Sequence, residues 1–468
     1  MIRRNTIESI LDGEHTGREV TVYAWVKTAR TGKSVAFAAL NDGSSVNNLQ
    51  AVFNRENFTP EQLSGLLTGA CIRVTGTVVG SQGSEQSVEV AAERLEIIGP
   101  VDDAYPLQKK RHSLEFLRGL PHLRPRTNTF AAVFRVSHHL SMAVHSFFDR
   151  NGFFNVHTPF ITESDCEGAG ETFQVTTLPL DMVPMKDGGV HFEKDYFRRK
   201  AFMTVSGQLE AEPFALSMGR VYTFGPTFRA DPSDTRIHGA EFWMLEPEMA
   251  FFDLEDNLNL IEDFVKYTAS YIMEKCPGEI AFFEKFFEST LRDRYAALLE
   301  NDFARVTYTE AIKIIQGSRD RFEAVPEWGD DLATEHERFL SEKHFGKPVF
   351  VVDYPASMKP FYMYVNPDGK TVGACDLLAP GVGELVGGSQ REHRPAILEE
   401  RAMKQGLDME TYRWYMELRR WGTAPHSGFG LGFERLLMYL TGMDNIRDVV
   451  PFPEPLGKCT ERNFSESW

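Results

Sequence analysis

Phe228–Glu248 reads FRADPSDTRIHGAEFWMLEPE. The pattern predicts two strands around a long polar loop. The first strand closes on a cation, Arg229. The loop, Ala230–Gly239, carries Asp, Pro, Ser and Thr, and then Arg236 and His238. The second strand opens Glu241-Phe242 and alternates as a partly buried strand does. Such a hairpin gathers a fixed cation, loop cations and an aromatic ring in one place. That set fits a nucleoside triphosphate, with charge for the phosphates and a ring face for the base.

Two later stretches belong in the same argument. Gly428–Leu436, GFGLGFERL, predicts a glycine-rich strand that turns into a helix. Glycines 428, 430 and 432 let a backbone approach a ligand closely, although such a strand more often marks tight packing. Arg435 stands at the turn, where a cation can face a triphosphate. Asp376–Arg391, DLLAPGVGELVGGSQR, sets Glu384 among Gly381, Gly383, Gly387 and Gly388. A carboxylate amid glycines can reach a metal ion held by phosphate oxygens, and Asp376 lies just upstream.

The 468 residues call for two or three domains. Their 42% apolar and 25% charged residues are those of an ordinary globular protein. Cys71, Cys166, Cys276, Cys375 and Cys459 form no CxxC pair, which argues against a zinc site or a disulfide framework and fits a reducing compartment. The N-terminus, MIRRNTIESILDGEH, lacks a signal-peptide core, and no apolar run is long enough to span a membrane. A cytoplasmic location is expected. The net charge of −17 argues weakly against nucleic acid, since a local basic face can sit on an acidic protein. Lys109–His112, Arg124–Arg126 and Arg198–Lys200 are such candidate faces, each read singly as solvated surface.

Within residues 1–100, Val20, Val22, Ala24 and Val26 alternate with Thr21, Tyr23 and Trp25. Four more strand-like runs follow before position 98, with turns at Asn41–Gly43 and Gly80–Ser84. Five short strands suit an OB-type barrel, a fold that commonly binds single-stranded nucleic acid on aromatics beside polar and basic groups. Arg30, Phe37 and Gln50 are placed for such a face, and Phe37 reads equally well as core. Residues 101–126 read as a hinge or connector. From 127 to 468 hairpins and long helical insertions alternate without a βαβ rhythm, so the expected class is α+β with an antiparallel sheet flanked by helices. Expected helices include 128–150, 253–275, 279–301 and 408–420. Phe153–Ile161 and Pro360–Val365 read as strands, the first interrupted by Pro159.

Phe228–Glu248 resembles motif 2 of the class II aminoacyl-tRNA synthetases, and GFGLGFERL resembles their motif 3, in the right order and about 200 residues apart. The helix with its proline-bearing strand resembles motif 1, which implies a homodimer. The resemblance implies that Arg229 binds the α-phosphate of ATP and the substrate carboxylate, and that Arg435 holds the γ-phosphate. It implies that Phe242 stacks on adenine, Glu241 meets the adenine amino group and His238 lies near the γ-phosphate. Glu384 and Asp376 match the family's Mg²⁺ ligands. The N-terminal barrel, as an anticodon-binding domain, matches the aspartyl, asparaginyl and lysyl subgroup.

Arg391 matches the arginine that grips the polar end of the amino acid, which excludes lysine. In Val205–Glu212, VSGQLEAE, the lysine and glutamine of aspartyl enzymes are replaced by Ala211 and Glu212. Losing a cation and gaining an anion suits a carboxamide, so asparagine is the expected substrate and tRNA(Asn) the expected acceptor. Arg391 is then expected to meet the amide oxygen and Glu212 the amide nitrogen, with Gln208 and Glu167 on the α-ammonium. Two departures from the family pattern stand out. Ile237 separates Arg236 from His238, and Glu454 replaces a cation near the C-terminus. They leave open a paralogue that adenylates asparagine or aspartate for an acceptor other than tRNA. A non-catalytic OB-type binder is disfavoured by the presence of Arg229, Glu384 and Arg435.

Overall fold

The computed structural model describes residues 5–81, 86–163, 172–230 and 235–453, so Glu167 and Glu454 lie outside the described residues. The chain forms two compact units that meet between Arg135 and Val136.

The first unit is built on a closed five-stranded barrel, as the OB-type reading expects. Its strands are β1 (Glu19–Thr31), β2 (Val35–Asn41), β3 (Leu49–Asn54), β4 (Cys71–Gly80) and β5 (Val88–Gly99), in the order β1-β2-β3-β5-β4. The alternation works as period-two patterning must. Val20, Val22, Ala24 and Val26 are buried inside, while Tyr23 and Trp25 face outward. The connector is more structured than its sequence suggests. Ser113 caps a short helix, Leu114–Arg118, and Leu107, Leu117 and Phe130 make a small core of their own.

The second unit carries an eight-stranded sheet. Its order is Ala304–Thr307, Val349–Pro355, Thr371–Ala379, Gly383–Gln390, His426–Gly432, Glu241–Ala250, Arg220–Phe228 and Phe154–Asn155. The inner six strands pair antiparallel, as expected, and both edge strands join parallel. A parallel neighbour needs a crossover, and the edge strand at Ala304 reaches Val349 through intervening helices. Helix Leu254–Lys275 starts in a capping box, Asp253 with Asp256. It lays Leu258, Ile261, Phe264, Val265 and Ile272 into the core, and Asn257 donates from Nδ2 to the Gly428 carbonyl at 3.0 Å.

Local expectations shift in several places. The expected 279–301 helix is two, Pro277–Phe286 and Leu291–Glu300, and the last expected helix is shortened to Arg413–Arg420. The Phe153–Ile161 strand survives only as Phe154–Asn155 and a second pair, Ile161–Thr162, because Pro159 between them has no N–H to give a ladder. Pro360–Val365 contributes isolated bridges, Met363 to Arg391 and Val365 to Val372. Among the described residues no helix is long and apolar enough to cross a membrane.

Candidate active site

The strands Glu241–Ala250, His426–Gly432 and Gly383–Gln390 form the floor of a cavity of about 760 Å³. Phe242, Met244, Glu246 and Glu248 follow one another at every second position, so one strand face supplies four lining residues. Arg229, His238, Asp376, Glu384, Arg435, Gln208 and Arg391 line it too. Eight of the residues singled out in the sequence therefore meet in one place, from segments up to about 230 residues apart.

At the hairpin end the side chains are partly open to solvent. Arg229 donates its backbone N–H to Ala240 O at 3.0 Å, which closes the loop. Its guanidinium lies 5.6 Å from the centre of the Phe242 ring, a cation–π distance. Arg435, in the first turn of helix Phe433–Thr441, donates to the Glu384 carbonyl at 2.8 Å. A Cβ built on Gly387 would lie 3.2 Å from Glu384 Oε1 and 3.5 Å from Asp376 Oδ1, so both carboxylates flank one bare stretch of backbone. Asp376 also accepts from Lys359 Nζ at 2.8 Å. Burial works against the Lys359 charge, but Asp376 holds its ammonium above the usual range. The Glu384 carboxyl is pushed up by its position deep in the cleft and by Asp376, even though 45% of its side chain is reachable by solvent. Glu337 accepts from the Glu384 backbone N–H at 3.2 Å, and burial followed by the charge of Glu384 pushes its carboxyl up to about 7. Among the described residues no group of three or more His, Cys, Asp or Glu is arranged to hold a metal by itself.

The other end is dry. Glu248, Gly428 and Ser389 stand in one row across the sheet. Arg391 donates from Nε to Glu248 Oε2 at 3.1 Å and from Nη2 to Oε1 at 2.5 Å, a bidentate pair, and from Nη1 to Ser389 at 2.8 Å. Both partners are almost fully buried, Arg391 at 3% exposed and Glu248 at 0%. Burial pushes the Glu248 carboxyl up while Arg391 pulls it down. A Cβ at 428 would sit 2.2 Å from Glu248 Oε1. The close approach that Gly428 permits is to this carboxylate, not to a ligand. Glu246 accepts from Ser206 Oγ, the Gly207 N–H and Thr223 Oγ1.

Other expected site residues fall differently. Glu212 does not line the cavity. It is 0% exposed and accepts from Gln208, Tyr415 and Arg419, with His426 Nε2 at 3.0 Å. Its oxygens are occupied, so the expected contact of Glu212 with an amide nitrogen finds no support in this arrangement, whereas Glu248 does line the cavity. Glu241 is exposed and lines an adjoining cavity of about 350 Å³ that shares His238, Phe242 and Glu434 with the first. Arg236 reaches Asp444 at 3.5 Å and is absent from the lining, while Ile237 is part of it. On the barrel, Phe37 is half-buried between the buried Ala36 and Ala38, so its ring faces outward instead of filling the core. Arg30 sits over that ring at 4.9 Å, and Gln50 is tied to Glu89 at 2.9 Å.

The model of the class II tRNA synthetases for D, K and N matches residues 114–455, and that of the OB-fold nucleic acid binding domain matches 20–98. The chain belongs to the class II tRNA synthetases of that group. Among relatives of this synthetase, the asparagine–tRNA ligase of Acetivibrio thermocellus is 54% identical over 94% of this chain and 95% of its own. That of Cytophaga hutchinsonii is 51% identical over 97% and 98%. The asparaginyl-tRNA synthetase of Pyrococcus horikoshii, solved with asparaginyl-adenylate, superimposes with a TM-score of 0.83 at 33% identity, over 97% of this synthetase and 98% of that chain.

Sequence reasoning missed Glu246, Glu248, Lys359 and the layer made by Tyr415, Arg419 and His426. For the first two a signal existed. Acids two residues apart, on the same face as Phe242 and Met244 and in the buried half of the strand, are out of place unless they serve a site. For the others no local pattern marks them.

Proposed function

We propose that this chain is an asparagine–tRNA ligase. Asparagine and ATP give asparaginyl adenylate and pyrophosphate. The acyl group then passes to the terminal 3′-hydroxyl of tRNA(Asn), releasing AMP. The observation that carries the reading is the Arg391–Glu248 pair on the cavity wall. Of five guanidinium N–H groups three are engaged, which leaves two to donate to an amide oxygen. Glu248 beside them accepts from an amide NH₂. Aspartate in that place sets a second carboxylate against Glu248, a like-charge contact in a dry pocket.

In the first step the asparagine carboxylate oxygen bonds to the α-phosphorus and the bond to pyrophosphate breaks. Arg229 and Arg435 are positioned cations for the charge that builds there, so no general base is called for. The oxygens of Glu384 and Asp376, both beside Gly387, are hard donors that would hold Mg²⁺, which would offset phosphate charge there. Phe242 offers its ring to adenine, and Glu241 stands at the edge of the same site. Gln208 and Glu167 are assigned to the α-ammonium. Arg30, Phe37 and Gln50 are assigned to the anticodon, with the barrel over residues 1–100 as its domain. A homodimer is supported by the exposed Phe154, Phe160 and Ile161, and the reading carries a cytoplasmic location.

The test is ATP–pyrophosphate exchange with asparagine and aspartate side by side, followed by charging of a tRNA(Asn) transcript. Asparagine is expected to drive both. Exchange driven by aspartate overturns the amino-acid assignment, and exchange without charging favours a paralogue with another acceptor. Phe37→Ala is expected to raise KM for tRNA about tenfold, as loss of one stacked base does, and to leave exchange unchanged.

A further inference from the structure

Beneath the cavity lies a layer of polar side chains that no step above uses. Glu212 and Gln208 stand one helical turn apart on Gln208–Met218, facing the same way. Gln208 Nε2 donates to Glu212 Oε1 at 3.1 Å. Around Glu212, Tyr415 Oη lies at 2.8 and 2.9 Å from its two oxygens, and Arg419 Nη2 at 2.6 Å. His426 closes the ring at 3.0 Å, its other nitrogen facing the Ala424 carbonyl at 2.8 Å. Glu212, Tyr415 and His426 are fully buried and Arg419 nearly so. An anion this enclosed is expensive unless it has a purpose in the site or in the fold.

A carboxylate accepts and cannot donate, so the group that faces it must be the NH₂ of Gln208. The carbonyl oxygen of that amide is then left for the cavity that Gln208 lines. A glutamine without this anchor is free to turn over, and its NH₂ would then meet the substrate ammonium donor to donor. We propose that Glu212 is a positioning residue: held by Arg419, Tyr415 and His426, it locks Gln208 with its carbonyl toward the α-ammonium of the amino acid. Glu212 thus selects for the ammonium end of the substrate through Gln208, not for the carboxamide end. This rests on the ligase reading above.

The experiment compares asparagine with succinamate, which is asparagine without its α-amino group. In exchange, Glu212→Gln is expected to raise KM for asparagine on the order of tenfold, the scale of a hydrogen bond to a charged group. The inhibition constant of succinamate and KM for ATP are expected to stay within about twofold. In the glutamine variant the three donors compete for its single carbonyl, its own NH₂ turns to Gln208, and Gln208 inverts. In a Gln208→Ala background the substitution is expected to have no further effect on asparagine, the mark of two residues acting as one. If Glu212→Gln fails to fold, Glu212→Asp keeps the charge and withdraws it from Gln208, and the same comparison is read from it. Equal losses for asparagine and succinamate, or a full loss in the Gln208→Ala background, overturn the proposal. Wild-type enzyme that shows no asparagine-dependent exchange overturns the functional reading instead.

Discussion

The two ends of the cavity are built on the same strands and by opposite rules. Phe242 and Glu248 are six positions apart on one strand, roughly 20 Å at strand rise. Around the first, the side chains of Arg435 and Glu384 are partly exposed and 4.0 Å apart, and Asp376 is held by Lys359 at 2.8 Å. Around the second, Arg391, Glu248, Glu212 and Arg419 are buried and bonded to one another. A triphosphate brings its own charge and needs cations left available to meet it. A neutral carboxamide brings none, so a site that reads it must carry balanced charge of its own and keep water out.

The sharpest way to break that contrast is Arg391→Ala. At the dry end the loss is structural as well as functional, because Glu248 is left buried without its cation. A destabilisation of about 3–5 kcal/mol is expected in denaturant titration, together with loss of asparagine-dependent exchange. Replacing both partners, Arg391→Met with Glu248→Met, should recover much of the stability and none of the exchange. If Arg391→Ala unfolds no more easily than wild type, the pair does not carry the charge balance argued for it.

Arg435→Ala is the matching test at the wet end. Here the exchange rate is expected to fall about 10²–10³-fold, as when one preorganised charge contact to a transition state is lost. Stability should change by no more than about 1 kcal/mol, since the side chain is 23% exposed, its hydrogen bond is to a backbone carbonyl, and its ion pair with Glu384 is long, at 4.0 Å. A large drop in melting temperature would mean that the two ends differ less than their geometry indicates.

The same contrast decides what the sequence disclosed. The wet end was legible because its residues act singly: a cation after a strand, a ring after a glutamate, a carboxylate among glycines. Each is a local signal, and the resemblance to the family's motifs decides it in favour of a site over packing or solvated surface. The barrel was legible for a similar reason, since Val20, Val22, Ala24 and Val26 state their direction by alternation alone. The dry end was not. Arg391 and Glu248 are 143 residues apart, and Glu212 is 203 and 214 from Tyr415 and His426. Read without those partners, Glu212 offered a free carboxylate. Gln208, Tyr415, Arg419 and His426 had already surrounded it. At Gly428 the packing alternative holds: its bare backbone makes room for Glu248, a partner 180 positions away that the local sequence does not name.

Glu434 gives the smallest and most diagnostic test, because it is a buried acid at the wet end with no ion pair among the described residues. It is 6% exposed and accepts the Trp243 N–H at 3.0 Å. Burial pushes its carboxyl up from 4.5 to about 7. A raised acid binds more protons folded than unfolded between those values. Its contribution to stability is therefore full below about pH 4.5 and is lost as pH rises through about 7. Glu212 has the opposite sign. Burial alone would raise it, but Arg419 and His426 hold it well below the usual range, so it stabilises at neutral pH and that contribution is lost on acidification. Glu434→Gln keeps an oxygen for Trp243 and removes the titration. The variant should match wild type at pH 4.5 and exceed it by about 1–3 kcal/mol at pH 8, measured by urea unfolding at each pH. Parallel stability curves for the two proteins would show that Glu434 is already charged in the fold, and that burial without a cation does not separate this end of the cavity from the other.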